Sequence, residues 1–473
     1  MIKDKENAKP MQPAGQREGK VSSLFRDELP VWYDGSGKVC PKWTSRCCQE
    51  REQTMNLLEE IATLKNLVKA YRHVKSNAGS PGVDGIDVKE FGKWFRTHHG
   101  TLTAEILNGD YRPSLVRGVE IPKPKGGKRL LGIPTVKDRV VQQAINQVMV
   151  RYYEFTFTES SHGFRPGRGT ESALKLAQLH VRSGKTQVVD IDLEKFFDEV
   201  NHSRLMWHLS IRMGDKRLLD LIRKILRSGI LLGGVSHQRI KGTPQGSPLS
   251  PLLSNIVLDE LDQELVRRGL SYVRYADDVL IFVSSKQSAE RVYVGISEYI
   301  TKKMRLKVNV EKSGVRQVHE VTFLGHSLGG GGRLYLSKPS ELRLKSKLKV
   351  LTSRRRGISL DQLIKEVNSL LRGWLHYFKR SEMKSKIERI NSWLKRRIRC
   401  FRIKQCKRKI GIVRLLRSQG VSEKLSWLTA LSGKGWWRLS NSPGTNIGMN
   451  NKWFTKIGYY DLVSNYNHLH KST

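Results

Sequence analysis

Cysteine is scarce in this chain of 473 residues, which contains only five. The five are odd in number, and their spacing suits neither a zinc finger nor a disulfide framework. Cys40, Cys47 and Cys48 could supply three ligands of a metal site, but no obvious fourth ligand lies nearby. The other two cysteines are Cys400 and Cys406. An isolated cysteine more often acts as a small apolar residue, so we expect the protein to reside in a reducing compartment.

Long apolar runs are also missing. No run of about 18 apolar residues occurs, which excludes a membrane-spanning helix. The N-terminus lacks the apolar core of a signal peptide, and Asp4 and Glu6 argue against an import presequence. We therefore expect no membrane partner.

Acidic residues are few relative to basic ones. Asp and Glu total 44 against 85 Lys and Arg, which gives a formal net charge of +41. This excess is far beyond what solubility requires and implies a polyanionic partner, with nucleic acid as the first choice and an anionic membrane surface as the second. The length allows two to four domains with ample core.

Two basic, glycine-containing segments stand out in the first half of the chain. Residues 119–134 predict a strand, a turn and a return strand that carry Lys123 and Arg129, and such a hairpin can embrace phosphates. A solvated turn is the alternative. Residues 161–168 form a second basic loop, which contains Arg165 and leads into a helix.

A first acidic motif follows a predicted strand at 187–193. Asp190 and Asp192 share one face of that strand, and two aromatic residues come directly after it. A carboxylate at a strand end followed by aromatics favours a ligand site, and a helix cap is the alternative. A rigid Pro/Gly/Ser loop at 242–251 then feeds a helix with a buried apolar stripe.

The central motif is Tyr-Ala-Asp-Asp at 275–278, between apolar strands predicted at 270–275 and 279–283. Two charges beside a strand covered on both faces are costly to bury unless a cation compensates them, and Mg²⁺ prefers such oxygen ligands. Ordinary turn chemistry is the alternative. Residues 306–313 and 321–326 predict further strands that close the sheet.

The flanking regions are polar or basic. Residues 1–50 show little apolar periodicity, and a helix is predicted at 54–75. Beyond about residue 338, a Ser359 cap and a long apolar stripe predict an amphipathic helix, and a second helix is predicted at 384–403. The one-sided charge of this second helix favours nucleic-acid contact over a merely solvated face, and its cations include Arg396, Arg397 and Arg399.

In this order and spacing the motifs resemble those of the reverse transcriptase/maturase proteins encoded by mobile group II introns, over roughly residues 55–460. The segments at 192–198, 244–248 and 275–278 look like polymerase motifs A, B and C. Lys312 and the Phe-Leu-Gly at 323–325 look like motifs D and E. The segment at 372–378 lies where the family has its thumb.

The resemblance implies an α+β fold, a right-hand polymerase of fingers and palm followed by a basic α-helical thumb, the maturase X domain. The family's endonuclease domain has no counterpart, so we expect a nascent strand or an existing nick to serve as primer. The predicted domains are a polar N-terminal extension (1–50), an N-terminal fingers region (51–118), reverse transcriptase fingers and palm (119–337), a helical thumb/maturase domain (338–432) and a basic, aromatic, DNA-binding C-terminal region (433–473).

The resemblance also implies the chemistry, in which a primer 3′-hydroxyl attacks the α-phosphate of a deoxynucleoside triphosphate with the help of two Mg²⁺ ions. The catalytic and metal-binding groups would be the carboxylates of Asp192, Asp277 and Asp278 and the main-chain carbonyl of Leu193, with Asp277 a stronger candidate ligand than Asp278. Phe197 would exclude a 2′-hydroxyl. The residues expected to bind the nucleotide are Lys123, Arg129, Phe197, Gln245, Gly246 and Lys312. Those expected to bind nucleic acid are Arg165, Arg396, Arg397 and Arg399.

The expected partners are intron RNA, an RNA template with a DNA primer, and target DNA, while the oligomeric state stays open. We expect a reverse transcriptase that also assists splicing of its intron RNA and supports intron mobility. The alternatives are a splicing factor with an idle polymerase site, and a related reverse transcriptase domesticated for defence or repair. The expected location is the bacterial cytoplasm or an organelle that encodes the chain.

Overall fold

The computed structural model describes residues 56–122 and 126–471, together with the main chain of two short strands near the N-terminus. The remainder of the predicted N-terminal extension lies outside the described residues. So do Lys123 and the side chains of the three N-terminal cysteines. Cys400 and Cys406 are both free thiols.

The strands form four sheets. The described strands are β1 (Trp32–Tyr33), β2 (Val39–Cys40), β3 (Val116–Pro122), β4 (Lys128–Ile133), β5 (Gln187–Asp192), β6 (Ile230–Leu232), β7 (Val235–His237), β8 (Ser271–Tyr275), β9 (Asp278–Val283), β10 (Gly314–Gln317), β11 (Thr322–Phe323), β12 (His326–Leu328) and β13 (Leu334–Leu336). The palm sheet has the antiparallel order β10-β5-β9-β8. The fingers sheet has the order β4-β3-β6-β7, in which β3 and β6 are parallel. Strands β11 to β13 form a small third sheet, and β1 pairs with β2.

Helices surround the two larger sheets and make up the C-terminal third of the chain. The described α-helices are α1 (Leu57–Ala62), α2 (Leu64–Ser76), α3 (Val88–Leu107), α4 (Val136–Tyr153), α5 (Thr170–Arg182), α6 (Phe196–Glu199), α7 (His202–Arg212), α8 (Lys216–Arg227), α9 (Ser250–Arg267), α10 (Lys286–Glu298), α11 (Lys338–Leu351), α12 (Leu360–Phe378), α13 (Lys384–Gln405), α14 (Lys409–Ser418), α15 (Glu423–Leu431), α16 (Trp436–Leu439), α17 (Pro443–Gly448), α18 (Asn451–Lys456) and α19 (Leu462–Lys471). None of the helices in the described ranges is both long and apolar enough to cross a bilayer.

The palm sheet is covered on both faces, as the unbroken apolar run of β9 predicts. Val279 and Ile281 belong to the core cluster that includes α9 and the fingers helices, whereas Leu280 and Phe282 pack with α5 on the opposite face. Burying each such side chain contributes about 1.5–3 kcal/mol. This double burial holds the strand ends, where the acidic motifs lie, in fixed positions.

Three secondary-structure predictions are corrected. The helix predicted at 54–75 is broken at Thr63, whose extended ψ of 140° ends α1 and whose hydroxyl caps α2. The strand predicted at 321–326 does not close the palm sheet, because its residues form β11 and the start of β12 in the small third sheet. The strand predicted at 306–313 is a loop, and the palm sheet is closed instead by β10. The loop bonds to Asp192 instead of pairing as a strand: the Asn309 main-chain N–H and the side chains of Asn309 and Lys312 all donate hydrogen bonds to Asp192.

The thumb helices share one core that runs from Leu336 to Tyr466. The predicted boundary at 432/433 therefore does not mark a break in packing, since α16 to α19 pack onto α13 and α14. The predicted boundary at 118/119 falls inside β3. At the start of α12, the Ser359 hydroxyl accepts a hydrogen bond from the main-chain N–H of Gln362 and confirms the predicted cap.

Candidate active site

The Tyr-Ala-Asp-Asp motif forms the tight turn between β8 and β9. Tyr275 pairs with Asp278 across the hairpin, so Ala276 and Asp277 form the tip. Ala276 has a φ of +57°, a left-handed conformation that is uncommon for a residue with a side chain. On its other edge β9 pairs with β5, and this register sets Asp192 directly opposite Asp278. The carboxylates of motifs A and C thus meet at one end of the palm sheet, as predicted.

A fully buried ion pair between Arg274 and Asp262 stabilises the turn. The Arg274 guanidinium donates to both carboxylate oxygens of Asp262 on α9, at 2.5–3.0 Å, and neither side chain is exposed. It also donates to the side-chain oxygen of Asn255 at 2.9 Å and to the main-chain carbonyl of Ala276 at 3.0 Å. Arg274 therefore holds the unusual conformation at the turn. The only sequence signal for this role is a cation inside an otherwise apolar strand.

The basic loop at 161–168 packs against the same turn. The main-chain N–H of His162 donates to the carbonyl of Arg274, and Asn255 donates to the carbonyl of Gly163. A Cβ atom on Gly163 would lie 2.4 Å from the main-chain nitrogen of Ala276, so only glycine allows this approach. The loop therefore helps to fix the conformation of the turn.

Asp192 is held by the loop that replaces the predicted strand. Its carboxylate accepts hydrogen bonds from the Lys312 ammonium at 2.8 Å and from the Asn309 amide at 3.1 Å. Its main-chain groups bond to Asn309 and to the Ser313 hydroxyl. Lys312, which is expected to bind the nucleotide, is therefore bonded to a predicted catalytic carboxylate in this structure, and Asn309 and Ser313 were not identified from the sequence. Leu193 is buried next to this contact.

The carboxylates repel one another. Burial and the charges of Asp277, Asp192 and Asp190 raise the pKa of Asp278 to about 7, although solvent reaches this side chain and tempers the effect. Burial also raises the pKa of Asp277, with the charge of Asp192 adding to the shift and the cations Arg129 and Lys312 opposing it. Asp190 forms an ion pair with Arg316, but burial still raises its pKa to about 6.

The donor set fits a hard divalent cation in its chemistry. Carboxylates with raised pKa values are those whose ionised forms a bound cation would favour. In the part of the chain that is described, no group of three or more His, Cys, Asp or Glu side chains is already gathered around a metal position. The position beside Asp192 is taken by the Lys312 ammonium, so a cation at that carboxylate must compete with this lysine.

The predicted nucleotide-binding residues converge from three elements. Phe197 is half-buried and packs edge-to-face on Phe196, at 5.6 Å between ring centroids. Its carbonyl accepts a hydrogen bond from the Thr243 N–H at 2.6 Å, which joins motif A to the motif B loop. The carbonyl of Gln245 in turn accepts from the Gly132 N–H of β4.

The motif B loop is fitted closely to the fingers hairpin. Gly246 has a φ of +114°, and a Cβ atom there would lie 2.6 Å from the Gly132 carbonyl oxygen. The main chain of the hairpin at Gly132 thus contacts the motif B loop. The charge of Arg129 is near enough to lower the pKa of Asp277. The strand that carries Arg129 thus lies against Gln245 and Gly246, and the nucleotide-binding roles of these three residues stay predictions. Lys123 lies outside the described residues.

The arginines predicted to bind nucleic acid are mostly engaged within the protein. The expectation for Arg165 is corrected, because its side chain is 2% exposed and donates to the Glu154 carboxylate and to the carbonyls of Thr158 and Ser161. Arg397 donates to the Thr352 hydroxyl and Arg399 to the Met449 carbonyl, so both join α13 to neighbouring segments.

Arg396 differs from the other three arginines. Its guanidinium stacks on the ring of Trp437 at 4.1 Å and also donates to the main-chain carbonyl of Trp437. The Trp437 ring is 38% exposed. The predicted contact of Arg396 with nucleic acid is therefore compatible with the geometry and stays a prediction.

The fold and the site define a class of protein. Carboxylates from two adjacent antiparallel strands meet at one end of a four-stranded sheet. The segment after the first strand is bonded to a loop that is itself bonded to a cationic hairpin, and a helical bundle follows. This is the arrangement of a right-hand polymerase of the reverse transcriptase type.

Comparison with known proteins gives the family. The reverse transcriptase (RNA-dependent DNA polymerase) family matches residues 121–328, and the group II intron maturase-specific domain matches residues 342–418. The chain belongs to the group II intron-encoded reverse transcriptase/maturase family, and its polymerase domain is that of an RNA-directed DNA polymerase.

Individual relatives come from bacteria and from yeast. Protein YkfC of Escherichia coli is 33% identical over 313 residues, which are 58% of this chain and 82% of YkfC. The group II intron-encoded protein LtrA of Lactococcus lactis is 33% identical over 213 residues, 43% of this chain and 34% of LtrA. A putative COX1/OXI3 intron 1 protein of Saccharomyces cerevisiae is 26% identical over 59% of this chain and 40% of its own length. The chain thus spans less than half of the two intron proteins.

Proposed function

We propose that this protein copies RNA into DNA from a DNA primer at the Asp192–Asp277–Asp278 site and also binds its group II intron RNA to assist splicing and mobility. The observation that carries the proposal is the register that places Asp192 opposite Asp278. The proposed partners are intron RNA, primed RNA template and target DNA. The proposed location is the bacterial cytoplasm or an organelle whose genome encodes the chain.

The chain's own residues would divide the work of nucleotidyl transfer. Two bound Mg²⁺ ions would supply charge stabilisation at the attacking and leaving oxygens, held by Asp192 and Asp277 with support from Asp278 and the Leu193 carbonyl. Lys312, whose ammonium lies 2.8 Å from the Asp192 carboxylate, would bind the leaving pyrophosphate. Arg129 would bind the triphosphate.

Extension of an oligo(dT) primer on poly(rA) with dTTP and Mg²⁺ tests the polymerase part. We expect the wild-type protein to extend the primer. Tight template binding without any synthesis would favour the idle-site alternative, which the intact carboxylates argue against. Splicing of the flanking intron RNA with and without the protein tests the maturase part, and an absence of response would favour domestication for another role.

Replacing Phe197 with Ala should relax the exclusion of ribonucleotides. The Phe197 ring packs on Phe196, and the main-chain carbonyl of Phe197 accepts a hydrogen bond from the Thr243 N–H. The substitution would therefore remove a rigid surface where a 2′-hydroxyl is expected. We expect the preference for dTTP over UTP, measured as a ratio of kcat/KM values, to fall by about 10-fold or more. Val294→Ala, at an exposed position on α10, is the control. Unchanged discrimination would overturn the role given to Phe197.

The Mg²⁺ requirement should increase as the pH falls from about 8 to about 6, because protons compete for carboxylates such as Asp278, whose pKa is raised to about 7. A raised carboxyl pKa means that the folded, metal-free protein binds protons more tightly than the unfolded chain. This contribution to stability is therefore present below about pH 4 and lost as the pH rises through about 7. Mg²⁺ titrations of primer extension and thermal melts at several pH values measure both effects. A half-saturating Mg²⁺ concentration that is independent of pH would contradict the expectation.

A further inference from the structure

A cavity of about 420 Å³ lies between the C-terminal end of α3 and one face of α8, and its lining shares no residue with the carboxylate site. The volume is in the range of ligand pockets, roughly 300–1,000 Å³. Nothing in the polymerase chemistry described above uses it. Its walls combine two kinds of surface.

The rim of the cavity is cationic. Arg217, Lys224 and Arg227 recur at helical spacing along α8 and line the cavity together with Arg223 and the carboxylate of Asp220. Outside the lining, Arg217 forms an ion pair with Glu59 and lies 3.9 Å from the Asp215 carboxylate. From Arg217 to Arg227 the helix rises about 15 Å, which is long enough to follow the backbone of more than one nucleotide. Arg223 forms an ion pair with Asp220, and Arg227 is exposed.

The carbonyl of Gly109, just beyond the end of α3, would repel an anion, but two cations bind it. The Lys224 ammonium donates to the Gly109 carbonyl at 2.5 Å, and the Arg112 guanidinium donates to the same oxygen at 3.1 Å. These contacts also fix the position of Lys224 at the rim. Because Arg217 and Arg223 are paired with carboxylates, the excess positive charge at the rim is carried by Lys224 and Arg227.

The floor of the cavity is apolar. It is formed by Ile106, Leu107 and Leu221 and by the buried Tyr111. The Tyr111 hydroxyl donates to the Asp138 carboxylate at 2.5 Å, so the phenol is held in one orientation. An apolar floor beneath a cationic rim matches a nucleotide, with its base against the floor and its phosphates at the rim.

We propose that this α3–α8 cavity binds an unpaired nucleotide of a folded RNA, as an RNA contact separate from the polymerase site. The proposal rests on the RNA-binding part of the proposed function and does not require polymerase activity. A cavity for a single base explains the combination of charge and apolar surface better than a contact to duplex backbone, which needs no apolar floor.

The test compares two RNA hairpins, one with a single-nucleotide bulge and one fully paired, by fluorescence anisotropy at several salt concentrations. We expect Arg223→Gln/Arg227→Gln to weaken binding of the bulged hairpin by about 10-fold and to reduce the slope of log K against log salt by about 1–2. Lys286→Gln/Lys302→Gln removes the same charge from exposed ion pairs on and beside α10 and is the control. It should change the affinity less than twofold.

A second variant tests the floor without changing charge. Leu107→Ala should reduce the preference for the bulged hairpin and leave the salt slope unchanged, and it keeps the proposal testable if the double variant folds poorly. Equal losses in the Arg223/Arg227 and Lys286/Lys302 variants, or a bulge preference that survives both cavity variants, would overturn the proposal. A wild-type protein that extends oligo(dT) on poly(rA) but binds both hairpins equally would refute this cavity's role and leave the polymerase function standing.

Discussion

Replacing Asp277 with Asn is expected to reduce primer extension by about 1,000-fold or more, equivalent to about 4 kcal/mol of transition-state stabilisation. The amide has the shape of the carboxylate, so the turn between β8 and β9 is retained. It lacks the negative charge that would hold a Mg²⁺ ion between motifs A and C. Steady-state extension of oligo(dT) on poly(rA), with wild-type protein beside the variant, measures the effect.

The same substitution should leave the metal-free protein at least as stable as the wild type. Burial and the charge of Asp192 raise the pKa of Asp277, so its ionised form is unfavourable in the folded state at pH 8. Removing that charge relieves repulsion among the carboxylates. Added Mg²⁺ should then raise the unfolding temperature of the wild type more than that of the variant.

This pair of measurements separates a catalytic role from a structural one. Lost extension together with a lower unfolding temperature in the absence of metal would show that Asp277 supports the turn rather than the reaction. A variant that retains most of its extension activity would contradict the assignment of Asp277 as the principal ligand. Glu290→Gln, at an exposed position on α10, is the control for removal of a carboxylate charge and should not affect extension.

The parts of the fold that could be predicted from the sequence are those with local signals. The apolar run of β9, the period-two placement of Asp192 on β5 and the apolar stripe of α12 each follow from neighbouring residues. The meeting of Asp192 with Asp277 and Asp278 could be inferred because the motifs occur in the order known for this family. Each of these features is set within a short stretch of chain.

Features that depend on distant partners could not be predicted in this way. The loop at 306–313 has the alternation of a strand, but its Asn309 and Lys312 bond to Asp192, more than a hundred residues earlier. Arg165 looks like a phosphate ligand in a basic loop, yet Glu154 and two carbonyls bind it in the interior. Composition alone does not distinguish a cation that holds the protein together from one that faces nucleic acid.

Arg274 is the most deeply buried cation that holds the protein together. Arg274→Met is expected to lower the free energy of unfolding by about 3–5 kcal/mol. The substitution leaves the Asp262 carboxylate buried without its cation, and it removes a donor from the Asn255 side chain and from the Ala276 carbonyl at the catalytic turn. Urea titrations of the purified variant and wild type measure the loss. Arg217→Met, which breaks a surface pair with Glu59, is the control and should cost about 1 kcal/mol or less.

Adding Asp262→Leu to Arg274→Met should restore part of the lost stability, because the uncompensated buried charge is removed and apolar side chains fill the site. The double variant should still extend primers more slowly than the wild type, since no donor then holds the Ala276 carbonyl and the left-handed turn that presents Asp277. Stability and activity would thus recover to different extents. If activity returned in full together with stability, the ion pair would serve the fold alone, and the hydrogen bond from Arg274 to the catalytic turn would have no part in positioning Asp277.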